Sequence, residues 1–462
     1  RFYDVFFKVV ANTELIDGPS GGAAFTLLAY AEFAGKQIRS DFSSTGTIEP
    51  DGSIGPIGGV LGKAYAARDN KLKVFAVPMD QGIQNGVDLT KMQGKWNMQV
   101  VEVSNIVDLI PVAFSQEGTF VNVTRRERAP LVLPVFNSSS SVEPMRGIAQ
   151  TQLTALRDLN KALSSKNTEE ALVVSSAVDE QLNLSEYLLD NGFYYSAANL
   201  AFVTKIGVES FLLGDVSKKD FEARLDLLLS ELNQSFEQKF SSVYKQKTLD
   251  NWEWVEGAEV RYLWARARAS EVKEKLSLVS SPASLLEDYY SAVNWLVAVE
   301  QLSKIAGERT GGVQAMPVNE FEARDYLKTL LDQAGAAVNQ SADSEAQWHY
   351  EIALNAFQDG DYLSTQIDSC FAIGFSNARK KALSSPTGKD FNSPDGSSKE
   401  FTSIWGELYY GNAVYNDVEY ARTSEFGYTL NSLKLKALST CLQESKEKLV
   451  PLLSTPVTGG GF

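Results

Sequence analysis

The hexapeptide Asp17-Gly18-Pro19-Ser20-Gly21-Gly22 sets a hydroxyl at the start of a run that reads as helix. Free backbone N–H groups at a helix N-terminus can hold an oxyanion, so a serine placed there stands beside a ready-made anion site. Its hydroxyl becomes a nucleophile only when a base takes the proton. Alone, the hexapeptide reads more simply as a helix N-cap after a glycine-proline turn. A second segment, Pro56-Ile57-Gly58-Gly59-Val60-Leu61-Gly62-Lys63-Ala64-Tyr65-Ala66-Ala67, changes that balance. Lys63 lies among glycine and apolar residues, where burial disfavours the ammonium and lowers its pKa. A neutral lysine can accept the serine proton; a lone lysine in such a run otherwise snorkels to the surface. The glycines before Lys63 superficially suggest a phosphate loop, but the spacing is wrong and Ala64 stands where a hydroxyl should hold magnesium.

Composition removes most competitors. The chain of 462 residues has one histidine, His349, and two cysteines, too few for an ordinary zinc site. No metal and no cofactor is expected. A net charge of -15 argues against a nucleic-acid or anionic-membrane footprint. No run of about 18 apolar residues reads as a membrane span. Sequons at Asn122, Asn137, Asn183, Asn233 and Asn339 tilt the reading mildly towards secretion. Cys370 and Cys441 either pair in an oxidising compartment or are both buried thiols.

Stepping outwards, residues 1–114 read as α+β. Residues 5–10 predict a strand, 20–35 a helix, 43–57 a hairpin and 60–69 a second helix. Residues 73–77 and 100–103 predict further strands, and a short helix starts at Ile106. Residues 115–144, with an arginine-rich run, Pro130, Pro134 and four serines, predict an extended connector. Residues 145–450 read as roughly ten helices. In one stretch Phe221, Leu225, Leu228, Leu232, Phe236, Phe240 and Val243 recur at helical spacing. Gly192-Phe193-Tyr194 and Gly360-Asp361-Tyr362 suggest turns of helical hairpins, either as a repeat array or in an irregular bundle. A serine, proline and glycine-rich loop covers 384–398, and residues 451–462 predict a flexible tail.

The Asp17-Gly18-Pro19-Ser20 block, Thr45-Gly46, Pro56-Ile57-Gly58-Gly59, Lys63, Ala66-Ala67 and the strand ending at Pro78 occur together and in order. In this the chain resembles the proteolytic domain of the Lon family of serine proteases, over about the first 110 residues. The resemblance implies Ser20 as nucleophile, Lys63 as general base and Thr45 as a hydrogen-bonding partner that orients Lys63. Asp17, beside Gly18, would gate or tune the dyad, and the strand near Phe6 would pair with an extended substrate. Ile16 replaces the family's lysine before the block, and Thr47 stands where a glutamate usually follows Thr-Gly. Only 19 residues precede Ser20, so this Lon-like domain is N-terminally incomplete, and a large all-α domain follows it. The architecture is similar to archaeal secreted or membrane-attached Lon-like proteases that lack the ATPase. It implies an ATP-independent endopeptidase acting on polypeptides, extracellular or at the cell surface, with a cytoplasmic setting as the alternative. Attachment would use a segment outside this chain, and a homo-oligomer is expected.

Two other readings compete. Gly18-Pro19-Ser20-Gly21-Gly22 also fits the nucleophile elbow of α/β-hydrolases, which would need His349 as base. His349, in a helix-like run of the second domain, reads instead as structural or exposed. The other reading is a non-catalytic scaffold carrying a relic protease-like domain, with the aromatic-rich stretch around Trp252, Trp254, Tyr262 and Trp264 binding partners.

Overall fold

The computed structural model describes residues 6–8, 19–55, 57, 59–79, 81–84, 87–122, 130–214, 216–234, 236–309, 317–341, 343–384, 400–423 and 426–455. Its N-terminal part runs α1 (Gly22–Ala34), β1 (Phe42–Ser44), β2 (Thr47–Ile48), β3 (Ile54–Gly55) and α2 (Val60–Asp69). It continues with β4 (Val74–Pro78), β5 (Ile83–Gln84), β6 (Val87–Asp88), α3 (Gln93–Trp96), β7 (Gln99–Val103) and α4 (Ile106–Ala113). Strands β1, β4 and β7 form a parallel sheet in that order. β4 is buried throughout, as a parallel strand covered on both faces must be. Its side chains alternate between two cores. Val74 and Ala76 meet Ala23 and Leu27 of α1 and Leu109 and Val112 of α4. Phe75 and Val77 meet Val60, Ala64 and Ala67 of α2.

The predicted hairpin is shorter than 43–57. Ser43 and Ser44 pair with β4, so only β2 and β3 form the antiparallel pair, with Thr47 opposite Gly55. Of the strand predicted over 5–10, Phe6, Phe7 and Lys8 are described and lie in no strand. Residues 115–121, expected in the connector, are bonded to the sheet domain. The Arg39 guanidinium donates to Asp41, Ser115 Oγ and the Thr119 carbonyl. Gln99 exchanges two hydrogen bonds with the backbone of Val121. Residues 130–143 are extended or turn-like as expected, yet they are packed. Leu133 and Val142 are buried, and Phe136 meets Phe193 and Tyr410.

Eleven helices of 14 or more residues follow among the described residues, with two short ones. In order they are α5 (Pro144–Ser165), α6 (Glu169–Asp190), α7 (Tyr194–Leu213), α8 (Lys218–Glu231), α9 (Phe236–Lys239), α10 (Ser241–Tyr244) and α11 (Trp252–Leu276). They continue as α12 (Leu286–Glu308), α13 (Glu320–Ser341), α14 (Ser344–Asp359), α15 (Ser364–Ser384), α16 (Ile404–Thr423) and α17 (Phe426–Leu453). The periodicity from Phe221 to Val243 predicts one helix, but α8 stops at Glu231. The turn frees the Gln234 carbonyl to accept from Tyr262 Oη, and lets Phe236 and Phe240 pack edge-on against the same ring. Gly192 and Gly360 take φ of 87° and 92° at the α6–α7 and α14–α15 turns, where the Gly-x-Tyr pattern places them.

α11 is the central helix. Residues 252–262 are all buried, including Glu253, Glu256, Glu259 and Arg261. α7 is long and apolar enough to match a membrane span by composition; here it packs against α5, α6 and α12. Cys370 of α15 and Cys441 of α17 are joined in a disulfide. Residues 385–398 of the predicted loop lie outside the described residues. Within the tail predicted from 451, Pro451–Leu453 continue α17 and Leu453 is fully buried, while residues 456–462 lie outside the described residues.

Candidate active site

Ser20 sits in a 3₁₀ turn, Pro19–Gly21, that leads into α1. The N-cap position belongs to Gly21, and no side chain caps the helix, so the simple capping role for Ser20 is displaced. The loop after β1 holds the serine from behind. Gly46 N–H donates to the Ser20 carbonyl at 2.9 Å, and Thr45 Oγ1 donates to the same oxygen at 3.2 Å. Thr45 is itself buried and fixed by its N–H to the Ala76 carbonyl of β4 at 3.0 Å. Ala23 N–H is taken by the Gly46 carbonyl at 3.1 Å, so it is not a donor for an oxyanion. Gly46 has φ of 146°, and a Cβ there would lie 2.3 Å from Ile54 Cγ2. Only glycine fits that approach.

Lys63 lies in the first turn of α2, its N–H donating to the Gly59 carbonyl at 3.1 Å. Gly59 adopts φ of 67° to start the helix. Val60 and Ala67, one turn either side of Lys63, are buried against β4, so the lysine stem flanks the apolar stripe and is half-buried. Burial holds its pKa below the usual lysine value, opposed by the negative charge of Glu287 on α12.

The sheet brings these two helix starts to one end. Ser20 is bonded to the loop leaving the carboxyl end of β1. Ile57, just ahead of α2, exchanges two hydrogen bonds with the side chain of Gln81, just beyond the end of β4, at 2.9 and 2.7 Å. At the other end, Lys73 after α2 donates to Asp41 at the start of β1. Ser20 and Lys63 therefore both stand at the carboxyl end of the parallel strands, reached from opposite faces of the sheet. Clefts at that edge are where open α/β sheets hold their ligands.

Thr45 is placed on Ser20, and its hydroxyl keeps lone pairs to accept from an amine. Asp17 and Gly18 lie outside the described residues. Thr47 Oγ1 donates to Glu49 Oε1 at 3.3 Å, and Glu49 faces Arg379 of α15 at 3.8 Å, an ion pair between the two parts of the molecule. Glu49 is the acid near the position after Thr45-Gly46 where the family has a glutamate, whereas Gln81 and Glu287 carry no sequence signature and only the fold assigns them to this end of the sheet. His349 lies on α14, 5% exposed, with Nδ1 2.6 Å from Asp368 Oδ1 and its ring stacked on Phe371. These contacts belong to the helical part. Among the described residues no cluster of three or more His, Cys, Asp or Glu side chains is arranged to hold a metal.

Residues 3–116 match the Lon protease (S16) C-terminal proteolytic domain. The N-terminal segment is a Lon proteolytic domain. The Lon protease of Lawsonia intracellularis is 28% identical over 129 residues, which are 28% of this chain and 15% of that protein. The peroxisomal Lon protease homolog 2 of Rattus norvegicus is 30% identical over 124 residues, 26% of this chain and 14% of its own length. The Helicobacter pylori Lon protease is 28% identical over 108 residues. The similarity thus spans about 15% of the curated relatives it matches. The match is to the proteolytic domain alone, and a mostly helical region follows it.

Proposed function

We propose that this chain is an ATP-independent serine endopeptidase that hydrolyses peptide bonds through a Ser20–Lys63 dyad. The observation that carries the reading is the placing of a half-buried lysine and a backbone-anchored serine at one end of the sheet of a Lon domain. Burial supplies what the chemistry needs, an amine that gives up its proton more readily than a lysine in water.

Ser20 Oγ attacks the scissile carbonyl carbon as its proton passes to the neutral Lys63 Nζ. Backbone N–H groups near Ser20 receive the oxyanion. As the intermediate collapses, the C–N bond breaks and the Lys63 ammonium protonates the leaving amine. Water then attacks the acyl carbon, Lys63 takes its proton, and that proton returns to Ser20 as the ester bond breaks. Thr45 anchors the Ser20 backbone and can accept from the Lys63 amine; Asp17, beside Gly18, tunes the pair. The glycine-rich segment before Lys63 lacks the phosphate-loop pattern, which supports catalysis without nucleotide. The Cys370–Cys441 disulfide supports an oxidising setting, outside the cell or at its surface. Attachment through a segment beyond this chain, and assembly with further copies, follow the likeness to secreted and membrane-attached Lon-like proteases.

The test is cleavage of an unfolded polypeptide with no nucleotide present. The reading expects turnover by the wild type that is unchanged on adding ATP and magnesium and abolished in Ser20→Ala. Turnover that survives Ser20→Ala, or that requires ATP, would overturn it.

A further inference from the structure

The helical part encloses a half-open cavity of about 870 Å³ between α5, α7, α11, α12 and α14. That volume lies in the range of roughly 300–1,000 Å³ over which proteins bind organic ligands. Phe202, Trp264, Trp295 and Trp348 line it. Their rings make one apolar wall: Trp295 stacks on Trp348 at 6.1 Å and meets Trp264 edge-on at 5.6 Å. Trp295 and Trp348 remain only half-buried.

Polar side chains share the lining: Arg268 lies over the Trp348 ring and Arg261 over the Trp264 ring, each at 5.1 Å, and His349 is beside them. His349 lines the cavity, is 5% exposed, and has its Nδ1 2.6 Å from Asp368 Oδ1. The same carboxylate oxygen also accepts from Trp264 Nε1 at 2.9 Å. A carboxylate accepts, so Nδ1 donates to it, and Nε2 is the ring atom left to meet a ligand. No protein donor reaches Nε2 among the described residues.

The rim faces the dyad. Glu287, in the first turn of α12, lines the cavity, is exposed, and its charge acts on Lys63. The Arg379–Glu49 ion pair ties α15 to the hairpin that follows Thr45. Both contacts join the helical part to the sheet domain on the side where Ser20 and Lys63 stand.

We propose that the cavity binds a tyrosine or tryptophan side chain of the polypeptide being cleaved, whose O–H or N–H donates to His349 Nε2 while the backbone runs past Glu287 to the dyad. An apolar ring fills the aromatic wall, and its polar group meets Nε2, to which no described protein group is hydrogen-bonded. Phenylalanine fills the wall but leaves Nε2 unpaired, so it binds less well. This inference rests on the Ser20–Lys63 reading only for the peptide's path, not for the cavity's chemistry.

The experiment separates the two. Fluorescein-labelled peptides of otherwise identical sequence, with Tyr, Trp, Phe or Ala at one position, are titrated by fluorescence anisotropy against the full chain carrying Ser20→Ala. The same peptides are offered to the wild type for cleavage. The expected order is Tyr and Trp tightest, Phe weaker and Ala weakest, with Tyr over Ala at about tenfold or more. His349→Gln narrows the gap between Tyr and Phe. Ala298→Trp, which fills the cavity from its wall, removes the preference while the melting temperature stays at that of the parent. Equal binding of all four peptides, or a preference that survives Ala298→Trp, overturns the proposal. Binding in the expected order without cleavage by the wild type keeps the cavity and removes the dyad; cleavage without the order does the reverse.

Discussion

Lys63 combines two opposing influences. Its stem lies against the apolar stripe of α2, which favours the neutral amine, and Glu287 lies within electrostatic reach, which favours the ammonium. Burial is the larger effect, so the amine titrates below an ordinary lysine. Activity limited by this base therefore rises with pH as the lowered pKa is crossed. Replacing Glu287 by Gln removes the influence that raises the pKa, so the rising limb of a kcat/KM profile moves towards acid. A limb that stays in place or moves towards alkali would show that Glu287 does not act on the base. Thr45 was legible from the sequence as a partner of the site, but not its attachment to the Ser20 carbonyl. Gln81 and Glu287 were not legible, because each reaches the site through folding and neither belongs to a local pattern; Glu49 was visible only as an acid close to Thr45-Gly46.

Among the elements, those built from strong local signals were read well. α2 occupies residues 60–69 as its pattern predicts, and β4 is the apolar run that ends at Pro78. Where the sequence misled, a long-range contact decided. The stretch from Phe221 to Val243 has helical periodicity throughout, yet Tyr262 captures the Gln234 carbonyl and the chain turns. Leu133 and Phe136 look like parts of a linker until the helices they cover are known. The loop joining β1 to β2 is the least tolerant element of the site. Gly46→Ala would set a Cβ 2.3 Å from Ile54 at a φ of 146°, and both effects are unfavourable. The expected loss is about 1–3 kcal/mol in urea unfolding, with a larger fall in kcat than in KM because Ser20 is displaced. Unchanged stability and turnover would show that the loop does not position the serine. Between α15 and α17, the Cys370–Cys441 disulfide closes a separation of 71 residues. Replacing both cysteines by serine should cost about 2–5 kcal/mol, seen as a lower melting temperature.

At the scale of the whole molecule, the helical part carries an unusual load of buried acid. Lys247 bonds Glu320 at 2.5 Å and faces Glu259 at 3.7 Å, with Glu259 its larger electrostatic partner. Burial outweighs the pull of Lys247 and raises the pKa of Glu259 to about 7; burial likewise raises Asp361 to about 6. Folding therefore favours the protonated forms. The stability they confer is present below their ordinary carboxylate values and is lost as pH rises through about 6 and 7. Urea midpoints should fall between about pH 5 and pH 7.5, and Glu259→Gln should flatten that fall. A slope identical to wild type would place the buried titration elsewhere. Both parts meet at the carboxyl end of the Lon domain's sheet, where the chemistry is proposed, and acylation of one serine reads that chemistry directly. The decisive measurement is the rate of labelling by a serine-directed covalent probe, followed by intact mass across pH in wild type, Ser20→Ala, Lys63→Ala and His349→Ala. The account predicts one label on wild type at a rate that climbs with pH and none on Ser20→Ala. Labelling of Lys63→Ala should be slowed by about 10²–10⁴-fold, with wild-type behaviour in His349→Ala. A label on another residue, or a Lys63→Ala profile that overlays wild type, would contradict it.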